Sequence, residues 1–439
     1  MLAIPESNLS ILKAEVPVGR RTDRAWLTSV ALALALALFG IALRLWLPVG
    51  FHAVAFDEAL YRNYVHQLDQ AGVGNYDLVI QKYLVDQRLP DAKCQLPPTR
   101  FLYVYCAWLA KRAAFGDAGP VELRNVSSVE QDPALTSLRQ VSRWFSIFLF
   151  LLSGIVAWRM FGREIAYLVL ALMAVAPLQL HMGGHALIDG FFAFWAMLVL
   201  WSAWENLKHP NHRGWLSVYA LALVCLVFTK ESALFVYLAV GGLLALNRWL
   251  KFGHTTQLLT IVTLAAPVAA VLMLAQLSGG PGAFLEVNRI FIAKAQHLDY
   301  AILAQDGPWH RYLIDELVLS PMILCLAIGG IFSCARRERP LLFLAGFFAL
   351  SYATMCEIPH GLNLRFATIW DLPLRALAAV QLLELSKMLP GRWTRHGLLA
   401  ALVILCGYEL WQYWLFFCKN SLYELPTQSL LQAVDILKS

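Results

Sequence analysis

The sequence predicts an all-α polytopic membrane protein, and three observations carry that prediction. Hydrophobic residues fill 59% of the 439 positions and charged residues only 15%, giving a mean hydropathy of +0.59 that a water-soluble domain does not show. Apolar runs near the ~20 residues that cross a bilayer as a helix recur along the chain. The compact basic clusters fall between those runs, as they do where loops are kept on one side of a membrane. The net charge of +6 is therefore an orientation signal and gives no argument for a nucleic-acid partner.

Taken in order, residues 1–24 are polar and end in Arg20, Arg21 and Arg24, which hold them in the cytoplasm. The first span, 25–47, has Arg44 near its far end; it is too long for a secretory signal and lacks a small-residue cleavage site, so it stays as an anchor. Residues 48–138 form a long mixed segment. Within it Leu60, Tyr61, Tyr64, Val65 and Leu68 follow helical spacing and predict an amphipathic helix along the membrane, capped by Asp57. The apolar stretch 101–110 is about half a span and reads as interfacial.

That reading sets the topology. Further spans fall at about 141–160, 165–181, 188–207, 215–229, 232–250, 257–277, 312–334, 341–356, 366–387 and 397–417. With about eleven spans, every compact basic loop lies inside with the N-terminus; making 101–110 a span would throw them all outside. Residues 25–418 then form one bundle, 48–138 its first extracytoplasmic loop, and 419–439 a short outer tail. Eight cysteines sit mostly in or beside apolar runs; only Cys94 and Cys106 share a polar region, and spacing alone does not pair them.

The polar residues that sit oddly in this chain collect on the outer face: Asp57, Glu58, His181, His185, Asp189, Lys230, Glu231, His360, Asn363 and Arg365. Ionisable groups at membrane depth are costly and point to function. Each also has a plain alternative. Asp57-Glu58 and Asp189 stand where helix N-termini favour acids. Lys230-Glu231 is arranged like a self-neutralising pair, and Arg365 like a snorkelling side chain. His181 and His185 are four residues apart, as metal ligands can be, but without a third ligand the balance favours hydrogen-bonding histidines.

Read in series, these stretches resemble the GT-C superfamily of membrane glycosyltransferases, nearest to bacterial relatives of protein O-mannosyltransferases and of the lipid A aminoarabinose transferase. Phe56-Asp57-Glu58-Ala59-Leu60-Tyr61 resembles the Asp-Glu-Ala-x-Tyr signature after the first span. The stretch from Gln95 through Pro97-Pro98 to Tyr103 is similar to a Lys-Pro-Pro-Leu-x-Tyr segment, and Leu138-Arg139 to the Leu-Arg that opens the second span. Asp189 matches the later acidic position, Thr229-Lys230 a Thr-Lys-Gly turn, and Asn363-Leu364-Arg365-Phe366 with Pro373 an Asn-x-Arg-Tyr and its proline. The similarity runs over about residues 25–390. It departs at Gln95, where Lys is usual and where Lys93 or Arg100 is the substitute; at Glu231, where Gly is usual; and after the last span, where many members carry a large domain.

The resemblance implies an inverting transferase in the bacterial inner membrane that moves a sugar from a polyprenyl-phosphate donor to a hydroxyl on a protein, lipid or glycan. It implies Asp57 as general base, with Glu58 and Asp189 orienting the acceptor or holding a divalent cation beside Asp57. Arg365, Lys230, Arg100 and Arg139, in that order, are the cations for the departing phosphate. Two other classes fit a polytopic chain. A secondary transporter or lipid flippase explains the helices, but places its charges near mid-span. A non-enzymatic scaffold predicts that positions 57, 58, 189 and 365 tolerate alanine together.

Overall fold

The computed structural model describes residues 21–48, 50, 53–89, 91–123, 129, 131–298, 301–302, 305–334, 339–358 and 361–423. Among these residues all regular structure is helical. Six helices are long and apolar enough to cross a bilayer: Trp26–Trp46, Pro133–Phe161, Ala233–Leu250, Gln257–Leu277, Leu364–Lys387 and Gly391–Lys419. A seventh crossing is made if a pair of helices bent by 52°, Arg163–Ala174 and Pro177–Gly184, counts as one span. Three shorter apolar helices accompany them: Arg213–Thr229, Pro321–Phe332 and Arg339–Met355.

In chain order, α1 is Arg21–Trp46, α2 Phe56–Ala71, α3 Tyr76–Arg88, α4 Phe101–Phe115 and α5 Pro133–Phe161. They are followed by α6 (Arg163–Ala174), α7 (Pro177–Gly184), α8 (Ile188–Lys208), α9 (Arg213–Thr229), α10 (Ala233–Leu250) and α11 (Gln257–Leu277). The remainder are α12 (Pro281–Ala295), α13 (Arg311–Leu319), α14 (Pro321–Cys334), α15 (Arg339–Met355), a 3₁₀ segment Leu364–Trp370, α16 (Asp371–Lys387) and α17 (Gly391–Tyr413).

Prolines explain where the helices depart from the runs of hydropathy. The apolar run 165–181 is one stretch in sequence, but Pro177 has no amide hydrogen to continue the ladder, so α6 ends and α7 starts at a new angle. Arg44 occupies the corner. Its guanidinium donates to Met173 O at 3.0 Å and Ala174 O at 3.3 Å, carbonyls at the end of the broken helix, and to Ser146 Oγ at 3.1 Å. Pro321 splits 312–334 into α13 and α14 in the same way.

The long segment after α1 is a second packing unit. Tyr61, Tyr64, Val65 and Leu68 on one face of α2 pack with Tyr76, Ile80 and Tyr83 of α3, Tyr103 and Val104 of α4, and Leu135 and Leu138 of α5. The apolar spacing predicted this helix; its start differs, because Ala55 holds the cap position and Asp57 lies inside the first turn. Between α3 and α4, Pro97 and Pro98 offer no donors, so only their neighbourhood's carbonyls can be fixed. Three tyrosine hydroxyls do this: Tyr83 donates to Gln95 O (3.2 Å), Tyr64 to Leu96 O (2.6 Å) and Tyr76 to Pro98 O (2.5 Å). The result delivers Arg100 to a fixed place. Buried Lys111 of α4 bonds Asp69 of α2 at 2.6 Å and keeps the two helices in register. Cys94 and Cys106 are both free thiols.

Asp132 joins this unit to the main bundle. One carboxylate oxygen caps α5 by accepting from Leu135 N at 2.9 Å, with Pro133 pre-set for the first turn, and the other pairs with Arg62 of α2 at 2.8 Å. Asp132→Ala should destabilise the protein by about 2–4 kcal/mol, since it removes a cap and strands Arg62. Asp132→Asn should cost less because it keeps the cap. Thermal unfolding of both variants in detergent checks the order.

Candidate active site

The site lies at the seam between the two packing units, where three helix ends and one 3₁₀ segment meet. Asp57 comes from the first turn of α2, Asp189 from the first turn of α8, Lys230 from the turn after α9, and Arg365 from the segment Leu364–Trp370. All four are largely buried, with relative exposures of 8%, 2%, 4% and 6%. Charges at such depth persist only when paired.

The pairs form a chain. Arg365 Nη1 donates to Asp57 Oδ2 at 2.6 Å, and its Nε lies 3.6 Å from Asp189 Oδ2. Lys230 Nζ donates to the other oxygen of Asp189 at 2.7 Å and sits 3.7 Å above the Phe366 ring. Arg100 adds a second arm: its Nη1 donates to Tyr61 Oη at 2.7 Å and its Nη2 lies 3.0 Å from Glu231. Lys230 and Glu231 therefore do not neutralise each other, as their adjacency suggests; each reaches a partner on a different helix. Lys93, the other substitute for the motif's lysine, is exposed.

Glu58 stands apart, although it is Asp57's neighbour in sequence. Successive residues on a helix point about 100° apart, and Glu58 is fully buried toward α5 and α7. Arg139 grips it with two hydrogen bonds of 3.1 Å, the amides of Ala186 and Ala55 donate to it at 2.7 and 3.2 Å, and His185 Nδ1 lies 3.7 Å away. Burial pushes this carboxyl up, but His185 and Arg139 outweigh burial and hold it down at about 2. Its stabilising charge is thus fully present above the ordinary carboxylate range and is lost only as pH falls toward 2.

The sequence-predicted residues fall into two groups. Asp57, Asp189, Lys230 and Arg365 are brought into contact, with Arg100 alongside; Glu58 and Arg139 form a separate bidentate pair. His181 Nε2 donates to Tyr423 O at 2.6 Å, and its ring stacks on Phe417 at 4.0 Å. His360 lies outside the described residues. Asn363 Oδ1 accepts from Arg365 N at 3.1 Å and so starts the turn that carries the arginine. Among the described residues no group of three or more His, Cys, Asp or Glu is arranged to hold a metal ion. Asp57, Glu58 and Asp189 each face their own cation, so they do not form a common divalent site as they stand.

Sequence reasoning missed Gln179. Its amide donates to Thr368 O at 3.1 Å and Asp371 Oδ2 at 2.7 Å, tying α7 to the Arg365 segment. A single glutamine in an apolar run signals only that something polar lies nearby.

A cavity of about 410 Å³ opens beside the site between α9, α10, α11 and α12. Thr99, Lys230 and Glu231 line it together with Asn288; most of the remaining lining is apolar, with Leu234, Pro267, Val268 and Leu272 among it. Leu234, Val268 and Leu272 are more than half exposed on the bundle's flank, where the bilayer would lie. The groove is therefore an apolar slot with a charged head.

The chain is similar to known proteins in sequence over part of its length and in fold over most of it. The family model for dolichyl-phosphate-mannose-protein mannosyltransferase matches residues 117–278. No curated protein sequence matches the chain. Among solved structures, ArnT from Cupriavidus metallidurans bound to undecaprenyl phosphate aligns with TM-score 0.54 at 15% identity, over 90% of this chain and 76% of that one. AglB, the oligosaccharyltransferase of Archaeoglobus fulgidus, in complex with an inhibitory peptide and a dolichol-phosphate, aligns with TM-score 0.59 at 12% identity, over 94% of this chain and 58% of that one. The Archaeoglobus fulgidus oligosaccharyltransferase in complex with Zn and sulfate gives 0.55 at 14%, over 92% and 54%. The chain thus spans little more than half of the oligosaccharyltransferases and about three quarters of ArnT.

The chain shares the fold of these membrane enzymes over most of its length, and residues 117–278 match the mannosyltransferase family model. The family model is named for dolichyl-phosphate-mannose, two of the similar structures hold a lipid phosphate, and none of the matches supports a transporter.

Burial lowers the Lys230 ammonium, Asp189 raises it, and Arg100 and Arg365 lower it again, leaving it at about 8. A cation at this position is therefore lost as pH rises through about 8. Binding of an anionic ligand to the site should weaken between pH 7 and 9, and Lys230→Arg, whose guanidinium stays charged, should move that limb to higher pH. A pH series of ligand affinity for both proteins checks this.

Proposed function

We propose that the protein transfers a sugar from a polyprenyl-phosphate donor to an acceptor hydroxyl, with inversion, at the end of the bundle that holds Asp57 and Arg365. The observation that carries this reading is the juxtaposition of an apolar flank groove with a cluster in which three cations, Lys230, Arg365 and Arg100, are paired with Asp189, Asp57 and Glu231. A lipid-linked phosphate suits that combination: hydrocarbon lies in the slot, and the phosphate meets Lys230 at its head, with Arg365 and Arg100 in the paired cluster behind it. The relatives support the donor class, since ArnT was solved with undecaprenyl phosphate and AglB with a dolichol-phosphate.

In this mechanism Asp57 takes the proton of the acceptor hydroxyl as its oxygen attacks the anomeric carbon. The bond from that carbon to the phosphate oxygen breaks on the opposite face, and its electron pair leaves with the lipid phosphate. The three cations stabilise the charge that builds there. The Arg365–Asp57 pair at 2.6 Å gives the order of events a physical basis. A donor phosphate competes for Arg365, and as it draws the guanidinium away, Asp57 Oδ2 loses its donor and is free to accept from the acceptor hydroxyl. Asp189 holds Lys230 and Arg365 in register. We assign Glu58 and Arg139 to support rather than chemistry: their bidentate pair locks α2 against α5 and so aims Asp57. No step requires a divalent cation, and none is routed through one.

The finer topology belongs to the same proposal. About eleven spans, with the N-terminus cytoplasmic in a bacterial inner membrane, puts the site on the extracytoplasmic side, where lipid-linked donors and protein, lipid or glycan acceptors meet. Helices occur at each of the eleven predicted places, several of them short or broken.

Asp57→Asn should lower transfer from a polyprenyl-phosphate sugar by roughly 10²–10⁴-fold while leaving donor binding within a few fold. Full transfer at normal expression overturns Asp57 as base. Val268→Trp, which adds bulk to the apolar lining of the slot, should instead raise the donor KM with little change in folding; an unchanged KM would remove the groove from the donor's path.

A further inference from the structure

The strongest feature that this mechanism does not use lies at the other end of α10. A concave site of about 400 Å³ is formed by Asn247, Arg248, Lys251, Gly253, His254 and Thr255, together with Leu244. Helix α10 runs 18 residues from Ala233 to Leu250, a rise of about 27 Å. Lys230 and Glu231 precede its start. The basic site therefore sits roughly one bilayer core away from the catalytic cluster, at the opposite membrane face.

Its frame is pre-organised. Asn247, one turn before the helix end, donates through Nδ2 to Gly253 O at 3.0 Å and Thr255 Oγ1 at 2.8 Å, and accepts from Gly253 N at 3.1 Å. Lys251 adopts a left-handed backbone, φ 53°, that reverses the chain. Gly253 is packed so closely on α8 that a Cβ there would come within 2.2 Å of Leu207 O, and His254 N donates to that same carbonyl at 2.8 Å. The loop is thus clamped at both ends while Arg248, Lys251 and His254 remain exposed. The lining includes two cations and an imidazole and no carboxylate. Beside it Trp249 is 70% exposed, and Leu258 and Ile261 of α11 are more than half exposed, a ring at the interface and aliphatic side chains at hydrocarbon depth.

We propose that this cradle binds the phosphate headgroup of an anionic phospholipid from the leaflet opposite the catalytic site. Coulomb attraction from Arg248 and Lys251 selects a net negative headgroup, the fixed Asn247–Thr255 loop gives it a seat, and the apolar flank of α10 and α11 accepts its chains. A simple orientation signal would need the charges but neither the clamped loop nor the cavity. The inference is independent of the transfer reaction.

The full chain is exchanged into mixed micelles containing phosphatidylglycerol, phosphatidylcholine or inorganic phosphate, and retained lipid is counted by native mass spectrometry beside thermal unfolding. Phosphatidylglycerol should be retained in preference to phosphatidylcholine, and Arg248→Gln with Lys251→Gln should lower that preference roughly tenfold or more. Equal retention of the two lipids, or a preference that the double variant keeps, overturns the site. Stabilisation by inorganic phosphate alone that the double variant loses overturns the lipid and makes this a free-anion site. Should the double variant not fold, the unmodified protein decides: rising salt should erase the preference, and persistence at about 1 M salt overturns the proposal.

Discussion

Everything at the candidate active site depends on buried charges being neutralised in pairs. Arg365 with Asp57, Lys230 with Asp189, Arg100 with Glu231 and Arg139 with Glu58 leave no charge of this cluster without an opposite. In a setting of low dielectric, removing one partner of such a pair typically costs 3–5 kcal/mol, whereas exchanging partners costs far less. The cluster is therefore robust as a whole and easily rearranged within itself. An incoming anion changes which acid each cation faces, without any charge having to enter or leave water.

That pairing also fixes the architecture. The four pairs link α2 to the 3₁₀ segment, α8 to the turn after α9, the start of α4 to the start of α10, and α2 to α5. The partners are 308, 41, 131 and 81 residues apart in sequence. Backbone breaks make these contacts available. The 52° bend at Pro177 sends α7 across the bundle, so that Gln179 meets the Arg365 segment while Ala186, just beyond α7, donates to Glu58.

The order of the helices was legible because hydropathy and helical spacing are local. Leu60 to Leu68 announced α2, and the shortness of 101–110 set α4 apart from the spans. The residues at the site were legible as oddities, since Asp57, Asp189, Lys230 and Arg365 are costly at membrane depth. Their pairing was not, because it is decided by packing across dozens to hundreds of positions. So Glu231 read as the partner of Lys230 when it binds Arg100, and Glu58 read as a companion of Asp57 when it faces α5. The breaks at Pro177 and Pro321 were hidden in runs whose hydropathy is continuous. Those breaks account for two of the predicted stretches that are not single full-length crossings among the described residues, and two more, α9 and α15, are short at 17 residues each.

The groove beside Lys230 opens on the flank of the bundle, not on its end. A ligand that uses it never has to leave the hydrocarbon, so its approach is a two-dimensional search. The concentration that governs such a reaction is the ligand's mole fraction in the bilayer. Diluting the membrane with inert lipid slows encounter even when nothing changes in the surrounding water, while diluting the whole suspension with buffer does not.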